Sequence, residues 1–232
     1  MKVSVCMATY NGAKYISEQI DSILMQLSDD DELIISDDGS NDGTIDIIKS
    51  YNDIRIKLYH NETNHGFMGN FENALKRANG DVIFLSDQDD IWSENKVKTS
   101  LIELNDCDLL VHNAELVDGN GISLGKDYFS CLHNHVGFWA NLWKTRFLGC
   151  CMVFNRKVLD ACLPFPKRVV AHDYWIGMYA LTKYRVKFIP NILLSYRRHG
   201  NNVSPSSEKS TNSLFYKVFV KRFNLLLALL LR

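Results

Sequence analysis

The stretch Ser86-Asp87-Gln88-Asp89-Asp90 follows directly on the apolar run Val82-Ile83-Phe84-Leu85. A short run of that kind reads as a buried strand. Strand side chains repeat every second residue, so Asp87 and Asp89 leave its C-terminal end pointing the same way. Open α/β sheets place their ligands at that edge. Two carboxylates held this close repel each other unless they share a proton, meet solvent or hold a divalent cation. Oxygen ligands favour a hard ion, Mg2+ or Mn2+.

Two further polar segments end strands in the same half of the chain. Thr9-Tyr10-Asn11-Gly12 closes a strand over residues 2–9, and Ser36-Asp37-Asp38-Gly39-Ser40 closes one over 32–36. Each alone is ordinary turn chemistry. Together with Asp87 and Asp89 they place three polar strand ends on one edge. There Asn and Gly permit backbone donors to approach a ligand, and a carboxylate can accept from a base N–H or a ribose hydroxyl. No G-x-G-x-x-G or G-x-x-x-x-G-K-[ST] loop occurs. A diphosphate bound here would need a metal to neutralise it.

The elements that must position these groups alternate. Helical spacing of Ile16, Ile20, Ile23, Leu24 and Leu27 predicts a helix over 14–27, with further helices over 44–51 and around Phe71, Leu75 and Ala78. A third strand spans 54–59 and the fourth 82–85. This strand-helix order predicts a mainly parallel sheet with helices on both faces and right-handed crossovers. Downstream, 108–112 and 148–154 read as strands, 156–162 and 174–181 as helices, and 186–189 with 192–196 as closing strands. Residues 118–147, rich in Gly, Asn, His and aromatics, read as a binding loop.

The 232 residues are 46% hydrophobic with a net charge of -1, the balance of one globular α/β domain with no bulk attraction for nucleic acid. The six cysteines include no C-x-x-C pair and no secretory leader is evident, so reduced thiols in the cytoplasm are expected. Cys131, His133 and His135 lack a second ligand pair for zinc. From Ser204 the composition turns to a Ser-rich hinge, then to a basic, Leu-rich tail over 214–232. The tail is too short and too basic to span a bilayer. It suits either an amphipathic helix on an anionic membrane or a helix docked on the domain or a partner subunit.

Taken in order, Ala8-Thr9-Tyr10-Asn11-Gly12, Asp37-Asp38-Gly39-Ser40-Asn41-Asp42-Gly43-Thr44, Asn64-His65-Gly66 and Asp87-Gln88-Asp89-Asp90 resemble the successive signatures of family 2 glycosyltransferases with the GT-A fold. The resemblance spans roughly 1–205, leaving 206–232 as hinge and tail. It implies a nucleotide-sugar donor, with Thr9, Tyr10, Asn11 and Asp38 around base and ribose, and Asn64, Gly66 and Gly149 lining the donor site. Asp89 would ligate a Mn2+ or Mg2+ ion directly, Asp87 would assist, and His199 would be a third ligand. Arg197 or Arg198 would meet the diphosphate. Many relatives carry an Arg where this chain has Gly69-Asn70, so Asn70 or backbone groups would serve there.

In His172-Asp173-Tyr174-Trp175 the resemblance assigns Asp173 as the general base for the acceptor hydroxyl, with His172 standing where relatives carry an acid. The implied activity is inverting transfer of a rhamnose, galactose or N-acetylhexosamine from a UDP- or dTDP-sugar. The acceptor is a glycan or lipid-linked oligosaccharide of bacterial cell-surface polysaccharide, worked on at the inner face of the cell membrane. The segments around Asn70, Trp92 and Trp175 resemble the bacterial polysaccharide branch that includes rhamnosyltransferases. A non-catalytic nucleotide-sugar-binding subunit is the alternative. A D-x-D phosphatase is disfavoured by Ile91-Trp92 after the motif and by its position on the fourth strand.

Overall fold

The structure is a computed structural model and describes residues 1–131, 137–199 and 220–232. The expectations for His133, His135 and the Ser-rich hinge lie outside the described residues. So do those for the part of the tail before residue 220.

The first half follows the predicted alternation: β1 (Val3–Thr9), α1 (Ile16–Leu24), β2 (Glu32–Asp37), α2 (Thr44–Ser50), β3 (Ile56–His60), α3 (Phe67–Leu75) and β4 (Val82–Ser86). These strands pair in parallel, in the spatial order β3-β2-β1-β4. β2 and β4 are buried throughout and β1 almost so, which is why they read as near-continuous apolar runs. Ile16, Ile20 and Ile23 of α1 are buried, as are Phe71, Ala74 and Leu75 of α3. The chain steps outward from β1 to β3 on one side, then returns to lay β4 on the other side of β1. A crevice opens at such a switch point, outside the carboxyl ends of β1 and β4.

The second half completes the sheet with mixed pairing. After β5 (Ile91–Trp92) and α4 (Lys96–Glu103) come β6 (Leu109–Val117), β7 (Ser123–Asp127), α5 (Phe138–Trp143), β8 (Met152–Asn155), α6 (Arg156–Cys162), α7 (His172–Lys183) and β9 (Val186–Arg197). β8 runs antiparallel between β4 and β6, and β9 lies parallel to β6. Sheet direction therefore brings the C-terminal ends of β4 and β9 to the same edge, together with the turn that precedes β8.

Three expectations change. The strand expected over 148–154 begins only at Met152, because Gly149–Cys151 winds into a single 3-10 turn. The two closing strands are one, β9, whose register against β6 slips between Ile189 and Ile192. Pro190 lies in that slip and has no N–H for the ladder. The segment expected as a binding loop, 118–147, holds β7 and α5 within it.

α8 (Lys221–Leu230) packs on the domain, burying Leu225 and Ala228. Arg222 donates to the carbonyls of Leu142 and Trp143, and Arg232 to those of Ala161 and Pro164. Among the described residues no helix is long and apolar enough to cross a membrane. No disulfide joins the six cysteines.

Candidate active site

The crevice between β1 and β4 is stitched by the middle residue of Asp87-Gln88-Asp89. The Gln88 carboxamide accepts from the Tyr10 N–H at 2.9 Å and donates to the Tyr10 carbonyl at 3.0 Å, so it pairs with the end of β1 as a neighbouring backbone would. Gly12 makes this approach possible, since a Cβ there would lie 2.3 Å from Gln88 Oε1. Asn11 takes a left-handed conformation with φ 49°. Its N–H donates to Ser40 Oγ and its side-chain oxygen accepts from the Asn41 N–H, tying the β1 turn to the β2 turn. Tyr10 itself is exposed.

The two aspartates that end β2 divide the work. Asp37 is fully buried and accepts from the hydroxyls of Thr9 and Ser40 and from the backbone of Gly39 and Ser40. The Thr9 hydroxyl is therefore turned into the fold. Asp38 accepts from Asn61 Nδ2 at 2.8 Å and from the Gly66 N–H at 2.7 Å, and it faces His65 Nδ1 at 2.8 Å. Asp38 thus holds the loop that carries Asn64 and Gly66 against the sheet edge. Asn64 packs its backbone against Gly69, where a Cβ has no room. Asn70 is buried and donates to the Thr9 carbonyl at 3.0 Å, and its Oδ1 has no hydrogen-bond partner among the described residues.

The carboxylates after β4 separate into two groups. Asp89 Oδ2 lies 2.8 Å from His199 Nε2, and the His199 ring stacks on Tyr15 with centroids 5.0 Å apart. Asp87 instead clusters with Asp90 and Cys150, whose possible ligand atoms lie within 4.8 Å of one another. Burial, then the charges of Asp89 and Asp173, push the Asp87 carboxyl up to about 7. Asp90 is fully buried and also driven upward, by burial first and then by Asp89 and Asp87, and it accepts from the Arg197 N–H at 3.0 Å. Behind this cluster the fully buried Lys96 donates to the Cys150 carbonyl at 2.7 Å, and burial lowers its pKa to about 8.

Arg197 does not reach toward a diphosphate. It is 2% exposed, and its guanidinium donates to the Asp89 carbonyl at 2.8 Å, pairs with Glu18 and lies 4.7 Å over the Tyr15 ring. It fixes the backbone of Asp89 beneath His199. Arg198 continues the strand direction with its N–H bonded to the Val117 carbonyl.

Asp173 sits in the first turn of α7, close enough to Asp87 for its charge to act on that carboxyl. The space above Gly149 is filled by His172, since a Cβ there would lie 2.8 Å from Nε2. The imidazole also stacks on Phe71 with centroids 3.9 Å apart. Burial lowers its pKa, with Asp173 opposing, so the ring is held neutral.

Gln88, Asp90, Lys96 and Tyr15 are site residues that the sequence does not single out, and Arg197, expected at the diphosphate, turns inward instead. Lys96 shows no signal in sequence, being one lysine on a short helix. Gln88 is an uncharged residue between two aspartates, and its pairing with Tyr10 depends on the approach of β1 to β4.

The family model for glycosyl transferase family 2 matches residues 4–163. The chain is 38% identical over 211 residues to the UDP-Glc:alpha-D-GlcNAc-diphosphoundecaprenol beta-1,3-glucosyltransferase WfgD of Escherichia coli, covering 89% of this chain and 81% of that one. It is 31% identical over 218 residues to the dTDP-rhamnosyl transferase RfbG of Shigella flexneri, covering 84% and 72%. Among solved structures it resembles S. aureus TarS 1-349 in complex with UDP, with TM-score 0.68 and 25% identity, covering 88% of this chain and 61% of that chain. The switch-point crevice, the paired carboxylate motif and these likenesses agree: the chain belongs to glycosyl transferase family 2, and it is a glycosyltransferase with the GT-A fold.

Proposed function

We propose that this enzyme transfers a hexose or deoxyhexose from a UDP- or dTDP-sugar to a hydroxyl of a phosphate-bearing, lipid-linked or polymeric acceptor, with inversion, in bacterial cell-surface polysaccharide synthesis. The carrying observation is the meeting of Asp89 and His199 past the ends of β4 and β9, with Asp87 under the charges of both Asp89 and Asp173. The donor classes rest on the relatives, whose names specify UDP-glucose and dTDP-rhamnose. The name of the first also specifies a diphosphate-linked acceptor, and that of TarS of Staphylococcus aureus a poly(ribitol-phosphate).

Two carboxylates and one imidazole are a donor set that suits Mn2+ or Mg2+, and the crowding of Asp87, Asp89 and Asp173 is relieved by a dication. Asp89 and His199 would hold the ion, with Asp87 beside them. Such an ion supplies charge stabilisation for the departing nucleoside diphosphate. Tyr10, Asn11 and the loop held by Asp38 frame the nucleoside. Asn64, Gly66, Asn70 and Arg198 surround the remainder of the donor, while Gly149 acts through the His172 ring it accommodates. Asp173 takes the proton of the attacking hydroxyl as that oxygen reaches the anomeric carbon from the face opposite the leaving group, so a single base suffices and the configuration inverts. The enzyme works on its acceptor at the inner face of the cell membrane.

A thermal-shift screen of UDP-, dTDP- and GDP-sugars with and without Mn2+ tests this reading. One donor class should stabilise the protein only when Mn2+ is present, and Asp89→Asn should remove the effect. A chain that no nucleotide sugar stabilises under either condition overturns it.

A further inference from the structure

α8 carries two adjacent cations to the side of α7 on which Asp173 lies. Lys221 Nζ is 5.0 Å from the centre of the Tyr174 ring, the residue next to Asp173. Arg222 donates from Nε to the Leu142 carbonyl at 2.9 Å and from Nη2 to the Trp143 carbonyl at 2.6 Å, and its guanidinium lies 4.4 Å over the Trp143 ring. Tyr174 Oη donates to the same Leu142 carbonyl at 3.2 Å, so α5, α7 and α8 meet at one point.

Among the described residues, Asp173 is the carboxylate whose charge bears on Lys221. Among the described residues neither Lys221 nor Arg222 forms an ion pair with a carboxylate. Arg222 Nη1 is buried with no hydrogen-bond partner among the described residues. Residues 137–147 and 220–232 contain no Asp or Glu, while Lys144, Arg146, Lys221, Arg222 and Arg232 are basic. Lys221 is half-buried, and both burial and Arg222 disfavour its charge, with Asp173 alone pulling the other way. Two like charges held together in partly desolvated surroundings call for an anion.

The free donors narrow which anion fits. A planar carboxylate is matched by two parallel N–H groups of a guanidinium. Here the Nε–Nη2 side of the guanidinium is taken by carbonyls, which leaves its Nη1 side and the three donors of the Lys221 ammonium. Donors on two different side chains suit a tetrahedral phosphate, which presents oxygens in several directions and carries one or two negative charges. Trp139 and Trp143 of α5 are largely exposed, at 76% and 71%, and the Arg222 guanidinium covers part of the Trp143 ring.

We propose that Lys221 and Arg222 form a binding site for a phosphate group of the acceptor, anchoring it on α8 while its sugar or polyol hydroxyl reaches Asp173. The proposal rests on the glycosyl-transfer reading and adds to it the group that the enzyme grips on the acceptor. The same phosphate chemistry is offered by a soluble phosphate ester and by a phospholipid headgroup.

The test uses the full chain saturated with UDP and Mn2+, so that the donor site is closed to added phosphate. Glycerol 3-phosphate is titrated by calorimetry, glycerol serving as the uncharged control, and phosphatidylglycerol vesicles are tested by co-sedimentation against phosphatidylcholine vesicles. Saturable binding of either phosphate probe is expected, weakened by about tenfold or more in Lys221→Gln and restored in Lys221→Arg, a loss of the size of a charge-assisted hydrogen bond. Binding of the soluble ester assigns the site to the acceptor itself, and binding only of the anionic vesicle assigns it to a lipid phosphate. Phosphate binding that Lys221→Gln leaves unchanged, or no binding of either probe, overturns the proposal. UDP affinity is measured in the same samples and should be equal in wild type and variants. Its absence in wild type sinks the donor reading and leaves the phosphate result to stand on its own.

Discussion

His199 Nε2 lies 2.8 Å from Asp89 Oδ2, although the two residues are separated by 110 positions. Each sits just past the C-terminal end of a strand, β4 for Asp89 and β9 for His199, and the sheet directs both ends to one edge. Arg197, bonded to the Asp89 carbonyl, fixes the spacing of the pair.

If this pair is the metal-holding element, His199→Ala should weaken Mn2+-dependent UDP binding by roughly 10- to 100-fold. Metal-independent stability should be nearly unchanged. Calorimetric titration of UDP at graded Mn2+ reads this directly, and an unaltered Mn2+ dependence would remove His199 from the ligand set.

Asp173→Asn keeps the shape of the side chain but not its basicity. Transfer should fall by about 10²- to 10⁴-fold, with UDP affinity held within twofold to threefold of wild type. An initial-rate assay with the donor identified in the screen provides the check, and near-normal turnover would mean that another group accepts the proton.

Gln88 tests the crevice without touching a metal-holding carboxylate. Gln88→Glu replaces the amide that donates to the Tyr10 carbonyl with an oxygen, and adds a negative charge between Asp87 and Asp89. The variant should lose about 0.5–1.5 kcal/mol of stability by urea unfolding, the worth of a hydrogen bond that is not buried. Gln88→Ala should lose less, and the opposite ranking would contradict the clamp.

Gly149→Ala should cost about 1–3 kcal/mol, because the added Cβ meets a His172 ring already stacked on Phe71. In Gly149→Ala/His172→Ala much of that loss should disappear. A double-mutant cycle with no coupling would show that Gly149 is required for some other reason.

Glu32, at the start of β2, sets an acid limit. Burial opposes its charge, but the Lys57 ammonium, the Ser4 hydroxyl and the Asn79 N–H outweigh it and hold the carboxyl down at about 2 from an ordinary 4.5. The folded protein therefore binds fewer protons than the unfolded chain in that window. The resulting stability is full above 4.5 and is lost as pH falls from 4.5 toward 2. Urea midpoints should drop across that range in wild type and more shallowly in Glu32→Gln.

The succession of polar strand ends on one edge is legible in the sequence. Apolar runs buried on both faces, helical spacing on α1 and turn residues at strand ends are local signals, and local sterics and burial enforce them. They were enough to place Thr9, Asn11, Asp38, Asp87 and Asp89 on one edge of a parallel sheet. Tertiary structure alone decided what each polar group faces. Thr9 and Asp37 turned inward, Asp38 closed the 61–66 loop, and Arg197 folded beneath Asp89. The antiparallel insertion of β8 carried Cys150 next to Asp87, and α8 brought Lys221 over the ring of Tyr174, the neighbour of Asp173 in sequence. Those relationships join residues far apart in the chain through sheet order and helix docking, and no local pattern encodes them. A buried polar group takes whichever partner the packed fold supplies, because leaving it unpaired costs more than the choice among partners.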